Sequence, residues 1–450
     1  MAKNNNTISG FPEWLPQGRL IEKFMLQTLE EVFALHGFQG IETRAVEPVS
    51  RLLSKGETSK EIYLLSRLAA RNSNETESDP NKQLGLHFDL TVPLARYVEE
   101  NAGHLTFPFK RFQIQKVWRG ERPQEGRFRE FVQADIDVVG QETLPFHHEV
   151  ELPLVMGEVF ARLGLPPVVI CANNRKLLQG VCEQAGISQI EDALRGLDKL
   201  DKIGPELVKE ELLKAGISAE GADLLLAVAK ISTSDPQELR SQIDALGLSG
   251  ELLETGLNEL CELLTEGERQ APGLLRAELK ISRGLDYYTG TVYESFIQGH
   301  EDLGAICSGG RYDNLVSVGN KKYPGVGMSL GLTRLLSRIF AANLLSVSRP
   351  TPTAVLVAVN NEDSRGESLA VAQALRARGI ATEVAERPLK FGKQIKYADR
   401  RGIPFVWFIN EDGHEVKDIR SGEQVPADPA EWLPPTEDLF PQVFPAQANN

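Results

Sequence analysis

Apolar residues recur at helical spacing across residues 19–36, with Leu20, Phe24, Leu29, Val32 and Phe33 on one side. Gly37 supplies the stop. Residues 41–49 then read as extended, and residues 71–83 (RNSNETESDPNKQ) as a polar, turn-rich, mobile surface loop. Residues 84–92, 109–119 and 128–139 are strand candidates. In the last of these, Val132, Ala134, Ile136 and Val138 share an apolar face, while Phe131, Gln133, Asp135 and Asp137 share the other. Many strands with few helices between them predict an antiparallel sheet rather than a doubly wound one.

Across residues 188–273 the pattern changes. Leucine, glutamate, lysine and alanine dominate, aromatics vanish, and apolar positions return to helical spacing, so a helical insertion with a scaffold role is expected. The sheet pattern resumes at Ala277 and ends in a helix near residues 330–343. Residues 348–353 (SRPTPT) form a linker. Beyond it, apolar strands at 354–359, 381–385 and 405–409 alternate with helical segments, which predicts a small α/β domain. The proline-rich, polar tail from Pro434 is expected to be disordered. The chain contains no internal repeat.

A chain of 450 residues exceeds one ordinary core, so two or three domains are expected. No apolar run reaches membrane-spanning length, and the start, MAKNNNTISGF, resembles neither a signal core nor a presequence, so a cytoplasmic protein is expected. Cys171, Cys182, Cys261 and Cys307 form no CxxC pair, which argues against disulfides and structural zinc. His147-His148-Glu149 lacks HExxH spacing and reads as a solvated segment; no metal site is expected. The net charge of −14 disfavours indiscriminate nucleic-acid binding but permits local basic patches. Two stretches qualify: Lys110, Arg111, Lys116, Arg119, Arg122, Arg127 and Arg129, and Arg387, Lys390, Lys393, Lys396, Arg400 and Arg401. Such runs are more often solvated faces.

Three segments carry candidate chemistry. Arg283-Gly-Leu-Asp-Tyr-Tyr-Thr-Gly-Thr-Val-Tyr-Glu294 sets an arginine, a carboxylate and two tyrosines beside glycines, which suits a small, flat, polar ligand. Pairing of Arg283 with Asp286 in a plain hairpin is the other reading. Residues 117–133 (VWRGERPQEGRFREFVQ) have hairpin grammar, with an arginine-rich loop between extended arms. Residues 325–334 (GVGMSLGLTR) place their third glycine one residue late for GxGxxG, and read instead as a strand entering a helix whose first turn holds Arg334.

RGLDYYTGTVYE resembles the histidine-binding signature of histidyl-tRNA synthetases, and Ser308-Gly-Gly-Arg-Tyr-Asp-Asn-Leu-Val316 resembles the family's second signature. The resemblance runs from about residue 11 to about residue 433. It implies an α+β fold: a class II synthetase antiparallel-sheet catalytic domain in two parts (1–187 and 274–347), the helical insertion 188–273, and a C-terminal α/β anticodon-binding domain (348–433) ahead of the tail 434–450. The hairpin at 117–133 resembles motif 2, which implies Arg119 on the ATP α-phosphate, Arg127 on the γ-phosphate, Phe131 against adenine and Glu121 at the adenine end. Guanidinium forks match phosphate oxygens, and aromatic faces accept a purine. Residues 325–334 resemble motif 3, with Arg334 on the γ-phosphate near a helix N-terminus.

Residues 86–93 (LHFDLTVP) resemble the segment that cradles the amino-acid ammonium, through Asp89, Thr91 and the Leu90 backbone, helped by Gln133. Asp137 and Tyr288, with Tyr287 alongside, would read the imidazole, and Arg283 would bridge the histidine carboxylate and α-phosphate. The resemblance thus implies a ligase that uses ATP with Mg²⁺ to activate L-histidine and charges tRNA(His), working as a homodimer. The rival is a non-catalytic, histidine-sensing regulatory subunit of ATP phosphoribosyltransferase, which would be expected to lose the ATP-gripping arginines. Three positions depart from the family pattern: Arg44 replaces the motif 1 proline, so the dimer is less well supported than the site; His87 replaces an arginine; and Thr333 replaces a glutamate.

Overall fold

The computed structural model describes residues 8–53, 61–68, 79–123, 126–282, 287–314, 317–318 and 320–446. The chain divides after Ala342 into two compact units, the second also taking in residues 13–25.

The first unit is built on nine strands: β1 (Gln39–Gly40), β2 (Phe109–Trp118), β3 (Glu130–Val139), β4 (Val168–Asn174), β5 (Ser232–Thr233), β6 (Leu275–Glu278), β7 (Thr291–Ile297), β8 (Cys307–Tyr312) and β9 (Gly325–Gly331). Their order is β1-β2-β3-β9-β8-β7-β4-β6-β5. Only β1 with β2 and β4 with β6 run parallel; the rest are antiparallel, as the strand-rich pattern predicted. Ala134, Ile136 and Val138 of β3 are buried on one face, and helices His147–Arg162 and Leu332–Ala341 lie against this strand. Burying each such aliphatic side chain contributes about 1.5–3 kcal/mol. The opposite face carries buried polar residues in register: Asp135 lies between Gln113 and Ser329, and Asp137 between Arg111 and Gly327. A buried polar face is a site or a wired network.

Two expectations need correction here. The strand read at 84–92 ends at Leu86, and a helix, Thr91–Asn101, begins where Asp89 Oδ1 accepts the Val92 N–H at 3.1 Å. Leu94 and Val98 one turn apart bury its inner face. His147-His148-Glu149 is solvated only at His147: His148 and Glu149 are buried at the start of a helix, where Glu149 receives Arg311 at 2.8 Å and the Thr291 N–H at 3.2 Å.

The segment 188–273 is helical apart from β5, with helices Ile190–Leu197, Leu200–Lys214, Ala219–Ala229, Pro236–Ala245 and Glu251–Gln270. Gly204, at φ 80°, breaks the second of these. No described helix is long and apolar enough to cross a membrane.

In the second unit, strands Thr382–Val384, Val355–Val357 and Phe405–Asn410 run parallel, and a hairpin partner, Gly413–Asp418, extends the sheet to Gln424–Pro426. Helices Arg365–Ala377 and Phe391–Arg401 supply the alternation read from the sequence. The tail from Pro434 is ordered through residue 446, against expectation. Val443–Pro445 pairs with Leu345–Val347, and Asp438 is held by Arg420 through two contacts of 2.8 Å. Composition alone did not reveal those partners.

Candidate functional site

The loop 87–91 is stitched into the polar face of the sheet. His87 donates Nε2–H to the Lys116 carbonyl at 2.7 Å and stacks on Trp118 at 5.6 Å. Burial lowers the His87 pKa, so the ring is neutral. Arg119 donates Nε–H to the Phe88 carbonyl at 2.9 Å, and its guanidinium lies over the Phe131 ring at 5.1 Å. A planar cation held by a carbonyl and an aromatic face is oriented before any substrate arrives.

Arg119, Glu121, Arg127, Phe131, Gln133 and Arg334, all singled out from the sequence, line one cleft of about 440 Å³. Glu121 stands between Arg119 (3.8 Å) and Arg127 (3.4 Å). Arg334 sits in the first turn of helix Leu332–Ala341 and donates to the Leu303 carbonyl at 3.3 Å. Thr333, the unusual residue before it, accepts the Val132 N–H at 2.8 Å and ties that helix to β3. Glu61 also lines the cleft and was missed in the sequence. Burial raises its pKa, and Arg119 opposes that shift.

Thr91, Asp135, Asp137, Tyr287 and Tyr288 line a second hollow that shares Ser308 and Ser329 with the first. It measures about 20 Å³, room for roughly one water. An imidazole would enter only if its walls moved. Asp137 is fixed from two sides: Arg111 pairs with it at 2.6 Å, and Tyr312 donates to it at 2.8 Å. Tyr287 lies between Tyr288 (4.4 Å) and Tyr312 (5.8 Å), and burial raises all three phenol pKa values. Glycine makes the hollow: a Cβ on Gly327 would come within 2.0 Å of Asp137 Oδ1, and one on Gly310 within 2.8 Å of the Tyr288 ring. Burial pushes Asp135 up to about 6, against the pull of Arg111 and with a smaller push from Asp137.

Asp89 and Leu90 flank this region through the loop stitching, with the Leu90 carbonyl 3.5 Å from Arg111. Arg283 and Asp286 lie outside the described residues, so neither reading of that pair is settled. None of Arg111, Tyr312, Asp135, Ser308 and Ser329 was given a site role from the sequence, although Arg111 lay in a basic stretch, Asp135 on the polar strand face, and Ser308 and Tyr312 in the second signature. Alternation would have placed Arg111 opposite Asp137, had the β2–β3 register been known.

A family model described as histidyl-tRNA synthetase matches residues 10–335, and one described as anticodon binding domain matches residues 353–433. A histidine–tRNA ligase of Micrococcus luteus is 54% identical, over 98% of this chain and 99% of its own. One of Bifidobacterium animalis subsp. lactis is 55% identical, over 97% of each. The crystal structure of histidyl-tRNA synthetase from Nostoc sp. PCC 7120 superposes with a TM-score of 0.83 at 37% identity, covering 94% of this chain and 97% of that one. A Bacillus halodurans structure described as an ATP phosphoribosyltransferase regulatory subunit/histidyl-tRNA synthetase has a TM-score of 0.67 at 20% identity, over 85% and 93% of the two chains, which is a likeness of fold alone.

Proposed function

The chain belongs to the histidyl-tRNA synthetase family, and on that premise we propose how it acts as an ATP-dependent histidine–tRNA ligase. One observation carries the reading: an arginine-lined cleft and a tyrosine-lined hollow meet at Ser308 and Ser329, with Arg119 already oriented beside them. ATP takes the cleft, with Arg119 on the α-phosphate, Arg127 and Arg334 on the γ-phosphate, Phe131 on adenine and Glu121 at the adenine end. Histidine takes the hollow. Asp89, Thr91, Gln133 and the Leu90 backbone hold its ammonium; Asp137 and Tyr288 read the imidazole, with Tyr287 as a wall.

Histidine's carboxylate is ionised at neutral pH, so activation needs no general base. A carboxylate oxygen attacks the α-phosphorus and pyrophosphate leaves. A ribose hydroxyl at the tRNA 3′ end then attacks the acyl carbon, and AMP leaves. Arg119 and Arg283 stabilise charge on the α-phosphate oxygens in the first step. Mg²⁺ would enter with ATP. Among the described residues no group of three or more His, Cys, Asp or Glu could hold a metal alone, so phosphate oxygens would supply its anchor. That ion supplies charge neutralisation between phosphates.

We assign residues 1–187 and 274–347 to the catalytic domain, 188–273 to the insertion and 348–433 to the anticodon-binding domain of a cytoplasmic homodimer. Arg44, at the motif 1 position, pairs within the chain with Glu47 (3.0 Å) and Glu100 (3.7 Å), so its charge is matched without a second subunit. ATP–pyrophosphate exchange with a panel of amino acids tests the reading. Exchange with histidine alone is expected, together with a fall of about two to three decades in Arg283→Ala. Histidine binding without exchange would instead mark a regulator, and a near-normal rate in Arg283→Ala would remove that residue from the mechanism.

A further inference from the structure

Gln133 and Asp135 share the polar face of β3, both buried. The Gln133 amide nitrogen lies 3.0 Å from each Asp135 carboxylate oxygen. Asp135 is faced by Arg111 from β2, Asp137 from its own strand, Ser329 from β9, Cys307 from β8, and Tyr288 across the hollow. Arg111 is committed to Asp137. Above about pH 6 Asp135 is ionised and can only accept hydrogen bonds. The amide must therefore turn its NH₂ group toward Asp135. Its other end, Gln133 Oε1, is buried with no hydrogen-bond partner among the described residues, and Gln133 lines the cleft. A buried acceptor without a donor awaits one from a ligand.

Resting on the reading that histidine takes the hollow with its ammonium at Gln133, we propose that Asp135 is a positioning residue. It fixes the Gln133 amide with its oxygen toward the amino acid, so that this spot takes an ammonium and rejects a neutral or anionic group there. Without the carboxylate the amide is free to flip and present NH₂ to the ammonium, donor against donor.

Calorimetric binding of histidine and of its des-amino analogue, imidazolepropionate, to the full-length protein separates this role from a structural one. Asp135→Asn should weaken histidine by roughly thirty-fold, the range of one hydrogen bond to a charged group, and leave imidazolepropionate within about two-fold. The exchanged pair, Gln133→Glu with Asp135→Asn, should regain most of the histidine affinity. The amide then stands on the other member of the pair and donates to a carboxylate that still offers oxygen to the ammonium. Equal weakening of both ligands, or no rescue by the exchanged pair, would overturn the proposal. Should Asp135→Asn fail to fold, the exchanged pair alone decides by its ratio of histidine to imidazolepropionate affinity, which must match the wild type. If the wild type binds no histidine, the reading of the hollow falls and this proposal with it; binding by the wild type isolates the failure to Asp135.

Discussion

Two basic stretches look alike in the sequence and end in different circumstances. In the first, Arg111 is 0% exposed on Asp137, Lys110 is bound to Glu151 at 2.5 Å, Lys116 to Glu130 at 2.6 Å, and Arg127 faces Glu121. In the second, Arg387, Lys390, Lys393, Lys396, Arg400 and Arg401 are all exposed on or beside helix Phe391–Arg401. Arg387 pairs with Glu386 at 3.5 Å and Arg401 with Glu383 at 3.2 Å, but among the described residues Lys390, Lys393 and Lys396 join no ion pair. A run of positive charge therefore says nothing about its own use. What matters is whether carboxylates on neighbouring strands are in register to take it.

Arg111 gives the largest expected effect. Arg111→Met leaves Asp137 buried without its cation, and breaking one side of such a pair costs about 3–5 kcal/mol. Chemical denaturation should show that loss. Replacing both partners, Arg111→Met with Asp137→Leu, should restore most of the stability while abolishing histidine activation. A single variant as stable as the wild type would mean that the inward stretch is no more wired than the outward one. Next comes Arg119→Ala, which should lower ATP–pyrophosphate exchange by about two to three decades with little change in stability, because its proposed role is toward substrate. A large stability loss would move Arg119 into the class of Arg111.

Asp135 sharpens the same contrast through pH. Its carboxyl is raised to about 6, mainly by burial, so the folded state binds its proton more tightly than the unfolded chain. Stability from this group is full below the ordinary aspartate range, near pH 4, and is lost as pH rises through about 6. Removing the titration with Asp135→Asn should make the variant gain on the wild type by up to about 3 kcal/mol as pH climbs from 4 to 7.5. A stability difference that is flat across that window would show that Asp135 is ionised throughout and not held against its burial.

The cleft-lining residues were legible because they lie in continuous strings: Arg119, Arg127, Phe131 and Gln133 on one hairpin, and Arg334 in the first turn of the helix after β9. The network that shapes the tyrosine-lined hollow was not. Arg111, Asp137, Gly327 and Tyr312 come from β2, β3, β9 and β8, and only the sheet register brings them together. The helix Thr91–Asn101 hid behind an apolar run that also suits a strand, and the Asp89 contact with the Val92 N–H at its start is a single side-chain hydrogen bond. His148 and Glu149 read as solvated because the arginine that buries Glu149 lies more than 160 residues away in sequence, at Arg311.

The smallest effect tests the outward stretch. If the exposed face of helix Phe391–Arg401 meets the tRNA backbone, its lysines act as point charges that displace counterions and specify nothing. Each contact then contributes little alone but adds to the salt dependence. Lys396→Ala should weaken tRNA(His) binding only about two- to five-fold near physiological salt, as expected for an exposed pair. The slope of log Kd against log salt should fall by about one. Lys116→Ala is the internal control, since its ammonium is taken by Glu130 and its slope should not move. Equal slope changes in the two variants would mean that both stretches meet the nucleic acid. No change in Lys396→Ala would return the helix face to solvent and leave tRNA affinity to other surfaces.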